Sequence, residues 1–225
     1  MRVRADLNIS LDGFATTTDG TPEDPFGQDW FRLVDAYTAT RTFRARVLGD
    51  MTGAGTTDVD DEYAAAYFEG VGAEIMGAGM FGLHLYPDDP DWRGWWGANP
   101  PFHVPVFVLT HEPRPTLEME GGTTFHFLSA TPQEALAIAA ATAGNLDVRI
   151  GGGPTVVRAF LEAGLIDELH VAIAPILLGQ GIRLWDELRG FENGYRVMTA
   201  AAASGTAHVT FSRSTADADR PGDQP

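Results

Sequence analysis

The stretch Ile150-Gly-Gly-Gly-Pro-Thr-Val156 combines residue types that could hold a ligand. Glycine tolerates φ > 0 and lets a backbone or a ligand come close. Pro154 suits the first turn of a helix, where a missing N–H costs nothing. Val156, Val157, Phe160, Leu161 and Leu165 then recur at helical spacing. Free amides and the positive end of the helix dipole would gather at Gly151, Gly152, Gly153, Thr155 and Val156, a geometry suited to a phosphate or pyrophosphate. The motif is not G-x-G-x-x-G, because Val156 stands where the third glycine belongs. A tight βα turn without a ligand stays open as the alternative.

The other chemically capable groups are carboxylates and aromatics. Asn8, Ser10 and Asp12 lie at the end of an alternating strand pattern, although Asp12-Gly13 also has the composition of a plain turn. The acids Asp58, Asp60, Asp61 and Glu62 open a helix, where they suit the cap and the dipole. A calcium loop does not fit them, since neither the glycine nor the following glutamate is in register. Trp95 and Trp96 lie in a polar, aromatic loop over 83–103. They read either as a platform for a flat heterocycle or as a plug over an apolar face. There is no G-x-S-x-G elbow, and Pro113 after His111-Glu112 prevents an H-E-x-x-H helix. His126 and His170 fall inside apolar strands, where a satisfied histidine is the default. No metal site is expected.

These groups need a scaffold, and the pattern supplies one. Residues 3–11, 73–76, 104–110, 125–128, 148–150 and 169–178 read as strands. Residues 29–48, 63–71, 132–143 with N-cap Thr131, and the segment from Pro154 to the stop at Gly164 read as helices. Residues 16–28 and 49–57 read as loops. Residues 194–203 and 206–213 pair as a hairpin around Ser204-Gly205. Alternating strands and helices predict an α/β fold with three α-β-α layers, a central mostly parallel sheet and an antiparallel C-terminal hairpin. One domain over 1–213 and a frayed tail over 214–225 complete the reading.

Composition narrows the function. The chain has 225 residues, a net charge of −16 and no cysteine, so disulfides and thiolate chemistry are excluded. Its fifteen basic residues are all arginine, which excludes a Walker-A or Schiff-base lysine. The acidic balance argues against nucleic acid and anionic membranes. No apolar run approaches the ~20 residues of a membrane span, and the N-terminus lacks a signal-peptide core. A soluble cytoplasmic protein is expected.

The run I-G-G-G, then G-L-I-D-E-L and A-P-I-L-L-G-Q-G, resembles the dihydrofolate-reductase-like fold. The likeness is greatest to the reductase domain of the bifunctional riboflavin-biosynthesis deaminase–reductase and its stand-alone relatives. It extends to S-L-D-G-F at 10–14, I-M-G at 75–77 and F-V-L-T at 107–110, so it covers about residues 3–212. The resemblance implies an NADPH- or NADH-dependent reductase of a pterin, aminopyrimidine or similar flat ring, with a homodimer as the expected assembly. It implies cofactor contacts at Gly77 and Thr110 as well as the glycine turn, with Asn8 facing the substrate. It also implies a carboxylate near the start of the helix before I-M-G, for which Asp61 is the closest match; Asp12 is the second acid/base candidate. Relatives carry Gly-Arg after the I-M-G strand, and this chain has Ala78. His111 and Arg114 are then the substitutes for holding a 2′-phosphate. A binding module for a nucleotide or flavin, without turnover, is the rival reading.

Overall fold

The computed structural model describes residues 1–214. In chain order the elements are β1 (Val3–Ser10), β2 (Phe14–Thr16), α1 (Trp30–Leu33), α2 (Asp35–Thr38), α3 (Arg41–Arg46), α4 (Val59–Ala66), β3 (Val71–Gly77) and α5 (Ala78–Phe81). Then come β4 (Pro105–Leu109), β5 (Leu117–Glu118), β6 (Thr124–Leu128), α6 (Pro132–Ala143), β7 (Asp147–Gly152), α7 (Pro154–Glu162), β8 (Glu168–Ala174), β9 (Ile182–Arg183), β10 (Tyr195–Ala201) and β11 (Ala207–Arg213). Among the described residues, nine strands form one sheet in the order β10-β11-β8-β1-β7-β3-β4-β6-β5. The six from β8 to β6 are parallel; β11 and β5 run antiparallel to them, and β10 pairs antiparallel with β11. This is the expected three-layer arrangement with its C-terminal hairpin.

Alternation along β1 sets the layers. Val3, Ala5, Leu7 and Ile9 face a core built with Ala135 and Ala139 of α6 and Val157, Phe160 and Leu161 of α7. Crossover connections between parallel strands put such helices on the sheet and bury it on both faces. On the opposite face Tyr63 and Tyr67, from α4 and its C-cap, lie over β8, β11 and β7. A second cluster, Met76, Phe81, Val106, Val108, Phe125 and Phe127, fills the space under α5.

Several boundaries differ from the expectations. The predicted helix over 29–48 is three short ones, because Thr40 caps a new helix through its Oγ1, which accepts from Phe43 N at 3.1 Å. The helix expected to reach residue 71 stops at Ala66, and Gly70 turns the chain at φ 68° into β3. The strand expected over 169–178 ends at Ala174, before Pro175. The short strands β2, β5 and β9 carried no alternation long enough to read. The expected N-cap Thr131 of α6 is present, and Glu134 completes it as a capping box. The proposed tail lies, from residue 215 on, outside the described residues.

Candidate active site

The parallel strands end along one edge, and the chain changes direction there. From β1 it proceeds to β3 on one side; from β7 it returns across β1 to β8 on the other. In open α/β sheets the crevice at such a switch point is where ligands bind.

The glycine turn stands at this edge. Gly152 has φ 119° and belongs to the last residues of β7, and Gly153 caps α7, with Pro154 in its first turn. A Cβ on Gly153 would have nothing within 4 Å, and one on Gly152 only Leu7 and Met80 at 3.6 and 3.9 Å. The backbone therefore faces open space at Gly153, whereas Gly152 is buried beside Leu7 and Met80. Gly77 closes the floor: its Cβ would lie 2.8 Å from Val156 Cγ2, so only glycine lets β3 and α7 approach this closely. Thr155 is exposed on the first turn of α7 and Ala78 follows Gly77 at the start of α5. Gly77, Ala78, Gly152, Gly153, Thr155 and Val156 are thus brought together at one strand edge.

Four expected cofactor contacts have other tasks or places. Gly151 faces the opposite side of the sheet, where a Cβ would collide with Glu74 Oε1 at 2.0 Å. It is glycine to make room for a buried glutamate. Arg114 donates to the carbonyls of Asp89 at 2.9 Å, Tyr86 at 3.4 Å, and Pro87, so it fastens the 86–89 loop rather than waiting for a phosphate. Thr110 Oγ1 accepts from Glu112 N at 3.2 Å and caps a turn, and His111 is exposed beyond β4. Both lie two strands away from β7.

The carboxylates are also redistributed. Asp12 accepts from Ser10 Oγ at 2.6 Å, Gly179 N at 2.8 Å and Leu178 N at 3.1 Å. The Ser10 hydrogen bond leads, with the two amides, in lowering it to about 2, so it stays ionised and pins the loop after β8. It cannot serve as a proton donor near neutrality. Asp61 accepts from Thr42 N at 2.7 Å and caps the start of α3, facing away from the sheet. Its neighbour Asp60 takes the inward position. Asp60 Oδ1 is 2.8 Å from His208 Nε2, and both side chains are 3% exposed. One residue along a helix is a rotation of about 100°, which is the physical reason Asp60 and not Asp61 faces the sheet.

Asp60 and His208 line a cavity of about 10 Å³ with Asn8, Tyr37, Tyr67 and Thr206. That admits about one water; Asn8 lines it beside Tyr37 of α2. A cavity of about 430 Å³ lies elsewhere, between Trp185, Leu188, Phe191 and Phe211. Its charged residues Glu187, Arg189 and Glu192 are exposed, and nothing in it can do acid/base chemistry on a sequestered ring. The smaller cavity is the chemically equipped one.

Beneath it runs a buried polar face that the sequence did not reveal. Arg149 donates from Nε to Asp6 at 3.0 Å and from Nη1 to Glu74 at 3.1 Å, and its guanidinium lies 5.1 Å from the Tyr67 ring centroid. Burial pushes Glu74 above the usual carboxylate value, although Arg149 opposes it. Burial would also raise Asp6, but Arg149, together with the His170 ring once its Nδ1 carries a hydrogen, more than offsets it and holds it below 3.8. His170 is not the satisfied core histidine expected. Its Nδ1 is buried without a hydrogen-bond partner among the described residues. His208 was missed altogether, though a histidine at the inward position of an alternating Ala-His-Val-Thr-Phe strand was a legible signal.

The tryptophan loop is largely a plug. Trp92 Nε1 donates to Phe81 O at 2.8 Å and Trp95 Nε1 to Met80 O at 2.9 Å, securing the end of α5. Trp96 packs on Phe102 and Phe125, with centroids 4.8 and 6.0 Å apart. Trp95 also meets Phe26 at 5.2 Å, joining this loop to the segment after β2. Neither tryptophan lines the cavity. Among the described residues no group of three or more histidines and carboxylates is placed to hold a metal, and no helix is long and apolar enough to cross a membrane.

A family model described as the RibD C-terminal domain matches residues 2–203. Among curated proteins, the uncharacterized protein YyaP of Bacillus subtilis (strain 168) is 29% identical over 65 residues, a match spanning 29% of this chain and 35% of that protein. A candidate riboflavin biosynthesis protein from Shewanella sp. PV-4 is similar in structure, with TM-score 0.59 at 21% identity over 95% of this chain and 99% of that one. RibD of Acinetobacter baumannii has TM-score 0.50 at 16% identity, covering 95% of this chain and 58% of its own. At such identities the two structures show a shared fold.

Proposed function

This chain belongs to the RibD C-terminal domain family, and from that premise we propose that it is a nicotinamide-dependent reductase of a small flat heterocycle, of the riboflavin-biosynthesis type. The observation that carries the reading is the placement of two different walls at one strand edge. The glycine turn, with Gly153 facing open space and Gly77 packed beneath against Val156, lies on one side of the end of β1. Asn8 with the Asp60–His208 pair lies on the other.

NADPH or NADH, when bound, supplies the hydride. The chain's residues do the rest. The amides at the start of α7 and the bare backbone of the glycine turn hold and align a dinucleotide. Asn8 can orient a heterocycle by its amide. Asp60, paired with His208, is the acid within reach of the cavity that can exchange a proton. Tyr37 and Tyr67 roof the cavity and exclude water. The cavity's small size requires the α1–α3 segment to move outward for a ring to enter, and the three short helices are a weaker cover than one continuous helix.

The test is oxidation of NADPH and of NADH, followed by loss of the reduced nicotinamide's near-ultraviolet absorbance, against a panel of aminopyrimidines and pterins. Turnover of one panel member supports the reading. Tight cofactor binding by calorimetry with no turnover across the panel replaces it with the binding-module reading.

A further inference from the structure

The buried face of the sheet contains more acid/base groups than the reductase reading uses, and they are in line. Asp60 Oδ1 is 2.8 Å from His208 Nε2, and His208 Nδ1 is 3.0 Å from His170 Nε2. His170 Nδ1 is 3.6 Å from Asp6 Oδ1. Resting on the reductase reading, we infer that Asp60, His208 and His170 form a proton-sharing line that takes up a proton at His170 Nδ1, beside Asp6, and releases one at Asp60, beside the cavity.

The hydrogen bonds fix the direction. His208 Nε2 faces a carboxylate oxygen and carries the hydrogen. The neutral ring then has only a lone pair at Nδ1, so His170 Nε2 donates to it. That leaves His170 Nδ1 as a bare lone pair facing Asp6, which agrees with its being buried and unpartnered. A purely structural pair would have no reason to end on an unsatisfied nitrogen beside a carboxylate. One added proton there completes the line, once the pair closes from 3.6 Å to about 3.0 Å.

The rings are held in the alignment that transfer needs. Tyr63 stacks on both, at 4.2 Å and interplanar angles of 9° and 5°. Asp60, Tyr63 and Tyr67 are three and four residues apart, so one helix face supplies the terminus, the stacking ring and the roof. The other charged and titratable groups around the line are Arg149 on β7, Glu74 on β3, Asp58 at the cap of α4 and Tyr37 on α2. Burial pushes Tyr37 up to about 12 and Tyr67 well above the usual phenol value, so neither donates near neutrality. Burial likewise holds His208 below 6.5, against the pull of Asp60, keeping it a neutral relay.

A proton arriving by way of Asp6, whose side chain is 13% exposed, passes from its carboxyl oxygen to His170 Nδ1. The Nε2 hydrogen of His170 passes to His208 Nδ1, and the Nε2 hydrogen of His208 passes to Asp60 Oδ1. Each ring gains one proton and loses one. The Asp60 O–H would then break and pass its proton to a ring heteroatom of a bound substrate, the reduced nicotinamide supplying the hydride.

The first arm of the test needs no substrate. Imidazole ¹⁵N spectra of the full chain are recorded against pH for the wild type and Asp60→Asn, an isosteric change. The expected result is one common midpoint and the same tautomer in both rings of the wild type, and loss of that common step from His170 in Asp60→Asn. Separate midpoints, opposite tautomers, or a His170 titration unchanged by Asp60→Asn would overturn the line. The second arm uses whichever aminopyrimidine or pterin the wild type reduces. Asp60→Asn and His170→Gln should each lower kcat, Asp60→Asn about a hundredfold or more, and alter its pH profile, with the KM for the reduced cofactor unchanged. A wild-type kcat and profile in both variants overturns the catalytic role. If no panel member is reduced, the reductase reading fails and the spectra alone decide the line.

Discussion

Replacing Arg149 by methionine tests the buried polar face most directly. The side chain is 10% exposed, and it is bonded to Asp6 and Glu74, whose side chains are 13% and 3% exposed. Methionine keeps much of the length and the contact with Tyr67 but leaves two carboxyl groups in the sheet without their cation. Breaking a buried pair by removing one partner costs about 3–5 kcal/mol, because the remaining charge has no compensation. At ~2–4 °C per kcal/mol for a chain of this size, Tm should fall by roughly 6–20 °C. The loss should depend on pH in a defined direction. Asp6 is held below its usual value, so its contribution exists above 3.8 and is lost as pH falls through the lowered value. Glu74 is raised above 4.5, so its contribution is present below that and is lost as pH rises through the raised value. Without Arg149 both folded values rise and the variant binds protons more tightly than the wild type does. The destabilisation should therefore be largest near pH 7 and shrink toward about pH 5. Adding Glu74→Gln should recover part of it. The assay is urea unfolding followed by tryptophan fluorescence at both pH values, with an unchanged m-value as the check on two-state behaviour. A loss below about 1 kcal/mol, or one of equal size at both pH values, would refute the claim that this face is a charge-compensated interior.

Three further outcomes are expected. Gly77→Ala should weaken nicotinamide cofactor binding at least tenfold, about 1.4 kcal/mol, because its Cβ would meet Val156 Cγ2 at 2.8 Å. Val156→Ala in the same chain should recover part of that by calorimetry, which separates it from Gly152 substitutions, where φ 119° adds backbone strain. Ala78→Arg should increase NADPH affinity about tenfold to a hundredfold, from a charge-assisted hydrogen bond of roughly 1.5–3 kcal/mol, while NADH affinity stays nearly constant. The wild type should show little preference, and paired dissociation constants at two salt concentrations decide both points. Trp96→Ala should lower unfolding stability by roughly 3 kcal/mol with cofactor affinity unchanged, and a selective loss of substrate binding instead would restore the platform reading.

The sequence by itself determined whatever depends on neighbours along the chain. Gly153 followed by Pro154 and an apolar helical series specified the start of α7, and Thr131 before Pro132 specified the cap of α6. Alternation along 3–11 specified a strand, Ser204-Gly205 specified the turn of the C-terminal hairpin, and the missing cysteine and lysine removed whole classes of chemistry. What it could not determine depends on pairing across strands and on rotation about a helix. Asp6 opposite His170 and Glu74 opposite Arg149 are register partners from segments far apart in sequence, and each residue read alone is an ordinary polar position on a strand. The same holds for Gly151, whose missing side chain is explained only by Glu74 on the next strand. Asp60 and Asp61 are indistinguishable as helix-opening acids. Only packing of α4 on the sheet turned Asp60 toward His208 and left Asp61 to cap α3, since one residue of helix carries a side chain about 100° around the axis.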